Sequence, residues 1–354
     1  MKRLILFAMF LLLSSCHRQG TDGVLSYFDG VPTTVLKSVE SYDLEQYGML
    51  TSSQVIKYQD AFIIRQLKAD NYVDILLPGD IVIPCVYNGR GPGEMILVTS
   101  VQAQGDSLFV FGPSQNKLLV LDIPGTIASK KQVVLEERQL GNQEMTITDN
   151  MVRPFSLQFT KNRMFGLGMF GDGSLYVELS WEGSVRTGVP GPQLEDSRLN
   201  SLAQRVLNTG TMMSISPDGT RLAAAYSQIA ALSFANTQSK LTEHWSKVFY
   251  QPKLSFPETQ GVIVAFDREN KTTFMGLQAF DDIVYALYVG KDRVTENLND
   301  ARDHGTHLLV FDWDGNPLKK YELDKSITGF YLEGTDLYGI SYSPEARIYR
   351  FHLK

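Results

Sequence analysis

Two of the chain's five histidines lie in the segment Asp303-His304-Gly305-Thr306-His307. Histidine nitrogens beside carboxylates are frequent metal ligands, and Asp300 lies close by. However, the His-x-x-His spacing lacks the glutamate of helical zinc sites, and the acids lack EF-hand spacing. We therefore interpret residues 291–306 as a solvated acidic loop, with a metal site as the alternative. Because long loops on a rigid scaffold carry recognition residues, the predicted binding residues here are Asp300, Asp303, His304 and His307.

Arg90 and Glu94 belong to a second candidate segment, Asn88-Gly89-Arg90-Gly91-Pro92-Gly93-Glu94. A guanidinium group offers a planar fork to a carboxylate or a phosphate, and a nearby glutamate can orient it. The three glycines permit the positive φ angles that a tight loop needs. The favoured interpretation is a tight connection in which Arg90 and Glu94 pair with each other. A ligand or partner contact at these two residues is the alternative, so both are candidate binding residues.

Other sequence patterns do not predict a catalytic site. Residues 166–171 match G-x-G-x-x-G, but a second strand pattern follows them instead of the helix that dinucleotide binding requires. The chain has no G-x-S-x-G motif, so it lacks the nucleophile turn of α/β-hydrolases. Its two cysteines, Cys16 and Cys85, exclude a disulfide framework. Cys85 lies in an apolar strand pattern and is predicted to be a buried, structural thiol.

The first sixteen residues have the features of an export signal. Lys2 and Arg3 precede an apolar run over residues 4–13 that is too short to span a bilayer. The tetrapeptide Leu13-Ser14-Ser15-Cys16 follows and resembles the lipobox of bacterial lipoproteins. We predict that residues 1–15 are a signal peptide, that Cys16 is lipidated and that residues 16–31 form a flexible tether. An ordinary secretory signal with a chance cysteine is the alternative.

The charge balance limits the classes of partner. Thirty-three basic residues face 39 acidic ones, for a formal net charge of −6, which argues against a nucleic-acid partner. A net acidic body is not drawn electrostatically to anionic lipid, so membrane attachment would depend on acyl chains at Cys16. His17 after the lipidated cysteine does not favour retention in the inner membrane. We therefore expect a lipid-anchored protein of the outer membrane, facing the periplasm or the cell surface.

The body of the chain repeats a pattern of short strands. A polar turn followed by an apolar strand recurs six times, at intervals of 46 to 61 residues, and this period is typical of propellers. Two further strands run into Trp-acid-Gly turns at Trp181 and Trp313, where the repeat gives both tryptophans a structural role. The predicted fold is an all-β, six-bladed β-propeller of four-stranded antiparallel blades over residues 32–354. The turn residues that mark the six repeats are Asp60, Asp106, Asn162, Thr220, Asp281 and Thr335.

Two details concern how the ring is completed. The last repeat has three strand patterns and no fourth, so residues 34–39 are predicted to supply its outer strand and close the ring. Residues 194–208 show helical spacing, with Asp196 and Ser197 as capping residues. We expect this helix between the third and fourth blades, on one face of the ring and partly over the channel.

Three segments resemble a known family. These are the Gly-Arg-Gly-Pro-Gly-Glu loop at residues 89–94, the Ser-Pro-Asp-Gly turn at 216–219 and the closing stretches at 327–331 and 347–353. They are similar to bacterial TolB-like six-bladed β-propeller lipoproteins, and the resemblance covers residues 32–354. It implies a secreted, usually lipid-anchored propeller and supplies no catalytic residues.

These observations predict a non-enzymatic binding module for an envelope protein, a peptide or a glycan, anchored to the membrane through Cys16. The alternative is a calcium-dependent propeller hydrolase of lactonase or esterase type, or a glycan-active enzyme. Such an enzyme requires acidic and amide side chains that converge on the central channel. No cofactor is predicted, and calcium is the ion that the alternative would need.

Overall fold

Six blades, each built on four antiparallel strands, surround a central channel, and one of them gains a fifth, parallel strand. The computed structural model describes residues 22–141, 152–257, 264–293 and 302–353. Each of the six turn residues that mark the sequence repeat lies between the first and second strands of a blade, so the predicted six-bladed propeller is confirmed. Within the described ranges, no helix is long and apolar enough to cross a membrane.

The chain enters the ring through a short helix and two strands, and then builds blades in order from the inner to the outer strand. The first elements are α1 (Gly23–Ser26), β1 (Thr33–Leu36), β2 (Ser38–Asp43) and a 3-10 helix (Glu45–Tyr47). Blade 1 consists of β3 (Ser52–Tyr58), β4 (Ala61–Gln66), β5 (Asn71–Leu77) and β6 (Ile81–Tyr87). Blade 2 consists of β7 (Ser100–Gln104), β8 (Ser107–Gly112), β9 (Lys117–Asp122) and β10 (Val134–Gln139), with α2 (Ile123–Ser129) before β10.

The remaining blades follow the same plan. Blade 3 consists of β11 (Val152–Phe159), β12 (Met164–Phe170), β13 (Tyr176–Leu179) and β14 (Val185–Val189), and α3 (Ser201–Leu207) with a 3-10 turn (Asn208–Gly210) follows it. Blade 4 consists of β15 (Thr211–Ile215), β16 (Arg221–Tyr226), β17 (Ala230–Asn236) and β18 (Thr242–Tyr250). A two-stranded pair, β19 (Leu254–Ser255) and β20 (Ala265–Phe266), precedes blade 5. Blade 5 consists of β21 (Lys271–Ala279), β22 (Ile283–Asp292), β23 (Gly305–Asp312) and β24 (Pro317–Ile327), and blade 6 begins with β25 (Gly329–Glu333), β26 (Asp336–Ser341) and β27 (Arg347–His352).

The middle strands are apolar because each blade is covered on both faces by its neighbours. Every residue of β12 is buried, including Gly166 and Gly168 of the G-x-G-x-x-G match. A Cβ atom at Gly168 would overlap the carbonyl oxygen of Arg153 on the adjacent strand. These glycines therefore serve close strand packing inside blade 3, which agrees with the interpretation of the motif as coincidental.

The ring is closed by β2, which pairs antiparallel with β27 and forms the outer strand of blade 6. The prediction that an N-terminal strand closes the last blade is confirmed, but its position is shifted along the chain. The first half of the predicted segment, residues 34–36, belongs instead to β1, which pairs in parallel with β24 as a fifth strand of blade 5, whereas residues 38 and 39 belong to β2. The shift arises because β24 offers a free edge at which Lys320 donates its backbone N–H to the Pro32 carbonyl.

The segment before β1 is ordered, so the interpretation of residues 16–31 as a flexible tether is wrong for residues 22–31. The Asp22 side chain caps α1 by accepting a hydrogen bond from the Val24 N–H at 3.0 Å. Val24 and Phe28, one helical turn apart, are fully buried between blades 4 and 5, and Phe28 packs edge-on against Phe311. This apolar pair explains why the segment docks on the ring.

Helix α3 lies between blades 3 and 4 as predicted, but it begins later than expected. Asn200, not Asp196 or Ser197, caps it by accepting a hydrogen bond from Ala203 N–H at 2.8 Å. Asp196 is instead engaged by Arg198, whose backbone and side chain both donate to it and hold a turn. No residue of α3 lines the channel, because Ala203 and Leu207 bury this helix in the interface between the two blades.

Candidate functional site

The central channel is a concave site with a volume of about 780 Å³. Its wall is formed by the six inner strands of the blades. We call one end of the ring the crossover face, because there the outer strand of each blade connects to the inner strand of the next. This face carries residues 88–99, 190–210, 251–257, 264–270, 302–304 and 342–346.

Polar side chains on the channel wall are largely engaged in bonds between blades. The Gln102 amide donates to the Phe159 carbonyl at 2.8 Å and accepts from the Phe159 N–H at 2.7 Å. Gln278 makes the same two bonds to Leu332, at 3.0 and 2.7 Å. Gln54 donates to the Val101 carbonyl at 2.8 Å. These amides join neighbouring inner strands, so they do not converge on a common point as the ligands of a catalytic metal would.

Arg65 is the exception to this pattern. It lies at the crossover-face end of β4 and lines the channel, where one Nη atom donates to the Val98 carbonyl at 3.2 Å. Its Nε atom is buried without a hydrogen-bond partner, and the structure shows no carboxylate of the described chain paired with it. Burial lowers the pKa of Arg65 to about 10, so the group remains cationic at neutral pH. A desolvated cation with a free donor is suited to bind an anion.

Three exposed leucines lie beside Arg65 on the crossover face. Leu50, Leu67 and Leu97 are 58%, 45% and 39% exposed, and Leu67 also lines the channel. The Leu67 N–H donates to the Thr51 carbonyl at 2.9 Å, which places Leu50 and Leu67 on adjacent loops. We call these three residues the leucine rim. Together with Arg65 it forms a mouth that combines a cation with an apolar border.

Asp303 and His304 lie at the same end of the channel, on the side of blade 5. The Asp303 carboxylate accepts hydrogen bonds from His304 Nδ1 at 2.9 Å and from the Tyr342 hydroxyl. Burial opposes its ionisation, but these two bonds outweigh that effect and hold the pKa of Asp303 below its usual value. Burial and the adjacent carboxylate raise the pKa of Tyr342.

The two histidines of this segment are not arranged for catalysis. His304 is fully buried, and its Nε2 atom accepts the Tyr342 N–H at 3.3 Å while Nδ1 faces Asp303. Both ring nitrogens are therefore engaged, and His304 cross-links the segment to blade 6. His307 lies on β23, where burial lowers its pKa, and it does not share a site with His304.

The Arg90–Glu94 segment connects blades 1 and 2 on the crossover face. Glu94 accepts the Gly91 N–H at 2.8 Å and does not bond to Arg90, which is exposed. The buried Lys117 ammonium donates to the carbonyls of Gly91 and Glu94, at 3.2 and 3.0 Å. The loop is therefore held by Glu94 and Lys117, and the Arg90 guanidinium extends into solvent without the predicted partner.

Two of the predicted site residues, Cys16 and Asp300, lie outside the described residues. Among the residues that the structure does describe, no group of three or more His, Cys, Asp or Glu side chains could hold a metal ion.

Asp74 is a buried carboxylate away from the channel, inside blade 1. It is 3% exposed and accepts hydrogen bonds from Gln66 Nε2 and Asn71 Nδ2, both at 2.7 Å. Burial raises its pKa to about 6, although the two amide bonds act in the opposite direction. Burial and the Asp74 charge raise the pKa of the Cys85 thiol to about 12, as expected for an inert structural cysteine.

Sequence reasoning missed the channel residues, although one signal was present. A glutamine occurs three to six residues before the turn residue in four of the six repeats, at Gln54, Gln102, Gln158 and Gln278. Three of these four glutamines, Gln54, Gln102 and Gln278, bond to the inner strand of the next blade. Arg65 does not recur among the repeats. It is a candidate for anion binding only because it has no acidic partner in the described structure, which the sequence does not show.

Comparisons with known proteins agree with this architecture. A family model described as TolB-like 6-blade propeller-like matches residues 54–335. No curated protein sequence matches the chain. Among solved structures, a member of the DUF4221 family from Bacteroides vulgatus is similar at 9% identity, over 90% of this chain and 97% of that one, with a TM-score of 0.53. A luciferin-regenerating enzyme is similar at 11% identity, over 88% and 95%, with a TM-score of 0.51.

At these identities the two structures support the fold alone, whereas the family model covers most of the propeller. The chain therefore belongs to the TolB-like six-bladed propeller family.

Proposed function

We propose that this protein is a lipid-anchored, non-enzymatic binding module of the cell envelope, attached through Cys16 and most consistent with the outer membrane. It takes an envelope protein or peptide at the channel mouth on the crossover face. The observation that carries this proposal is the mouth itself, where the unpaired Arg65 cation lies beside the leucine rim.

The chemistry of the mouth favours a peptide segment over a glycan. Exposed leucines contribute to binding by releasing water from apolar surface, so they suit an apolar side chain of the partner. The Arg65 guanidinium suits a carboxylate next to that side chain, from an acidic residue or a chain terminus. A channel of about 780 Å³ has room for a few residues of such a segment.

The channel glutamines are already hydrogen-bonded between blades, which favours a binding role of the channel over a catalytic one. Gln102 and Gln278 already make two inter-blade bonds each, so these two amides could hold a metal ion or a substrate only by giving up bonds between blades. Binding at the mouth leaves these bonds intact.

The anchor and the binding site are tested separately. Mass spectrometry of the mature N-terminal peptide should show acyl chains on Cys16, and a Cys16→Ser variant should leave the membrane fraction. An unmodified Cys16 in the purified membrane protein would contradict the anchor.

For the binding site, tagged lipidated protein is purified from detergent-solubilised envelopes together with its partners. The mouth variant is Arg65→Met with Leu67→Ser, and the control is Asp314→Asn, an exposed acid on the opposite face. A stoichiometric partner that is present with wild type and control, and lost with the mouth variant, supports the proposal. A partner that is retained by the mouth variant would move the site elsewhere on the ring.

A further inference from the structure

Gln158 differs from the three channel glutamines that bond to the next blade. It is half-buried on β11 and lines the channel, but its amide makes no hydrogen bond with any described residue. Leu157 and Phe159 on either side of it pack against blade 2, and strand side chains alternate in direction, so Gln158 faces blade 4. Across the described ranges, no side-chain hydrogen bond joins β11 with β15, the inner strand of blade 4. The wall is therefore open between these two strands.

Ile215 is the residue of β15 that corresponds to the partner of a bonded glutamine. It lies 57 residues after Gln158, and the same interval of 57 separates Gln102 from its partner Phe159. Ile215 also lines the channel and is the last residue of its inner strand, as Phe159 is of β11. The repeat thus places Ile215 opposite Gln158.

The pairing of β15 with β16 determines where the Ile215 backbone groups point. The Ser216 N–H bonds to the Arg221 carbonyl, as the Thr160 N–H bonds to the Arg163 carbonyl in blade 3. The residue before such a hydrogen-bonded pair has its N–H and C=O directed away from the partner strand. Both backbone groups of Ile215 therefore point away from β16, toward Gln158.

These groups are complementary to one peptide group of a ligand. The Gln158 amide offers N–H donors and a carbonyl, and Ile215 offers one N–H and one carbonyl. A ligand carbonyl can accept from Gln158 Nε2 while the ligand N–H donates to the Ile215 carbonyl. We call this pair the amide slot. Met213 and Met275 also line the channel, and their flexible side chains can adapt to different ligand side chains.

The amide slot lies deeper in the channel than Arg65. The Val98 carbonyl, which Arg65 binds, belongs to the residue eight positions before the turn residue Asp106. Gln158 is four positions before the equivalent turn residue, Asn162. At about 3.3 Å per residue, the difference of four positions corresponds to about 13 Å along the channel. An extended chain of four to five residues spans this distance.

We infer that the amide slot of Gln158 and Ile215 binds a backbone peptide group of an extended segment whose carboxylate lies at Arg65. The inference rests on the proposed function for the mouth, whereas the amide slot itself does not depend on Arg65. As a consequence, the affinity of a ligand depends on its length, because a segment must be at least about four residues long to contact both sites.

The test uses the Cys16→Ser protein and two synthetic peptides with free carboxyl termini, acetyl-Ala-Leu and acetyl-Gly-Ala-Gly-Ala-Leu. With its carboxylate at Arg65, the dipeptide is too short to reach the amide slot. Isothermal titration calorimetry should show tighter binding of the pentapeptide. Gln158→Met should weaken the pentapeptide about fivefold and leave the dipeptide unchanged, since one hydrogen bond is lost. Gln104→Met, at another half-buried channel glutamine, is the matched control and should change neither affinity.

The possible outcomes separate the amide slot from the mouth. If Gln158→Met binds the pentapeptide as tightly as wild type does, or if wild type does not bind it, the amide slot is refuted. If Arg65→Met binds both peptides as tightly as wild type does while Gln158→Met still weakens the pentapeptide, the proposed mouth alone is refuted.

A second measurement needs no ligand. Because the Gln158 amide makes no bond to a described residue, Gln158→Met should leave the midpoint of urea unfolding unchanged. Gln278→Met, which removes two inter-blade bonds, should lower it. An equal decrease in both variants would show that Gln158 bonds to the next blade in the folded protein, and would overturn the inference.

Discussion

Asp74→Asn should stabilise this protein near neutral pH, because Asp74 is a buried carboxylate with no cation beside it. Its pKa is about 6 in the folded protein against 3.8 when exposed. The folded state therefore binds the proton more tightly, and wild-type stability falls as pH rises from about 4 to about 6. At about 1.4 kcal/mol per pKa unit, the full penalty is about 3 kcal/mol above this window.

The variant removes the charge but also alters the hydrogen bonds from Gln66 and Asn71, and that cost does not depend on pH. The diagnostic quantity is therefore the change with pH of the stability difference between variant and wild type. This difference should rise in favour of the variant by about 2 kcal/mol between about pH 4 and about pH 7.5.

Urea unfolding of the Cys16→Ser protein, followed by tryptophan fluorescence at a series of pH values, measures this difference. Asp282→Asn, which replaces an exposed acid in the turn after β21, is the control and should show no such trend. A stability difference that stays constant across the window would refute the reasoning, since it would mean that Asp74 is already solvated or paired in the native state.

Three further predictions use the same unfolding assay. Phe28→Ala should lower the free energy of unfolding by about 3–5 kcal/mol, whereas Val35→Ala, at an exposed position, should change it by less than about 0.5 kcal/mol. Equal effects of the two variants would show that α1 does not dock on the ring. Gln278→Ala should lower the free energy of unfolding by about 2 kcal/mol, because two hydrogen bonds to Leu332 are lost. The control is Gln104→Ala, and an equal loss of stability in both variants would contradict the inter-blade role of Gln278. Asp303→Asn should lower the free energy of unfolding above about pH 4 and approach the wild-type value on acidification. The reason is that the folded protein lowers the pKa of Asp303, so the stability from its charged form is lost as the carboxylate protonates. A stability difference that does not change with pH would contradict this prediction.

The repeat was predictable because it rests on local chemistry. Turn residues such as Asp106 and Asp281 recur with apolar strands after them, and these strands are apolar because both of their faces are covered. By contrast, α1 has only four residues, too few for a periodic pattern, so its docking through Val24 and Phe28 had no local signature. The register of β1 and β2 depends on the free edges of β24 and β27, which exist only in the closed ring.

The candidate site was less predictable, for a related reason. Asp303 and His304 were identified as chemically interesting, but their partner Tyr342 lies 39 residues away and meets them only across two blades. Arg90 and Glu94 share a loop, yet the Glu94 carboxylate accepts the Gly91 N–H, and Lys117 binds the Glu94 backbone carbonyl from the next blade. Neighbours along the chain were thus visible in the sequence, whereas neighbours across blades were not.

The pairing of β2 with β27 also has a consequence for biogenesis. Ser38 and its partner Phe351 are separated by about 310 residues, and at 5–20 residues per second a ribosome needs roughly 15–60 s to make that stretch. During this time β2 has no partner, and nascent blades present unpaired strand edges that attract other chains. The closing step is also a contact of very long range, which is slow to form. Successful production of this propeller should therefore depend on how well the emerging chain is shielded until its last strand is made.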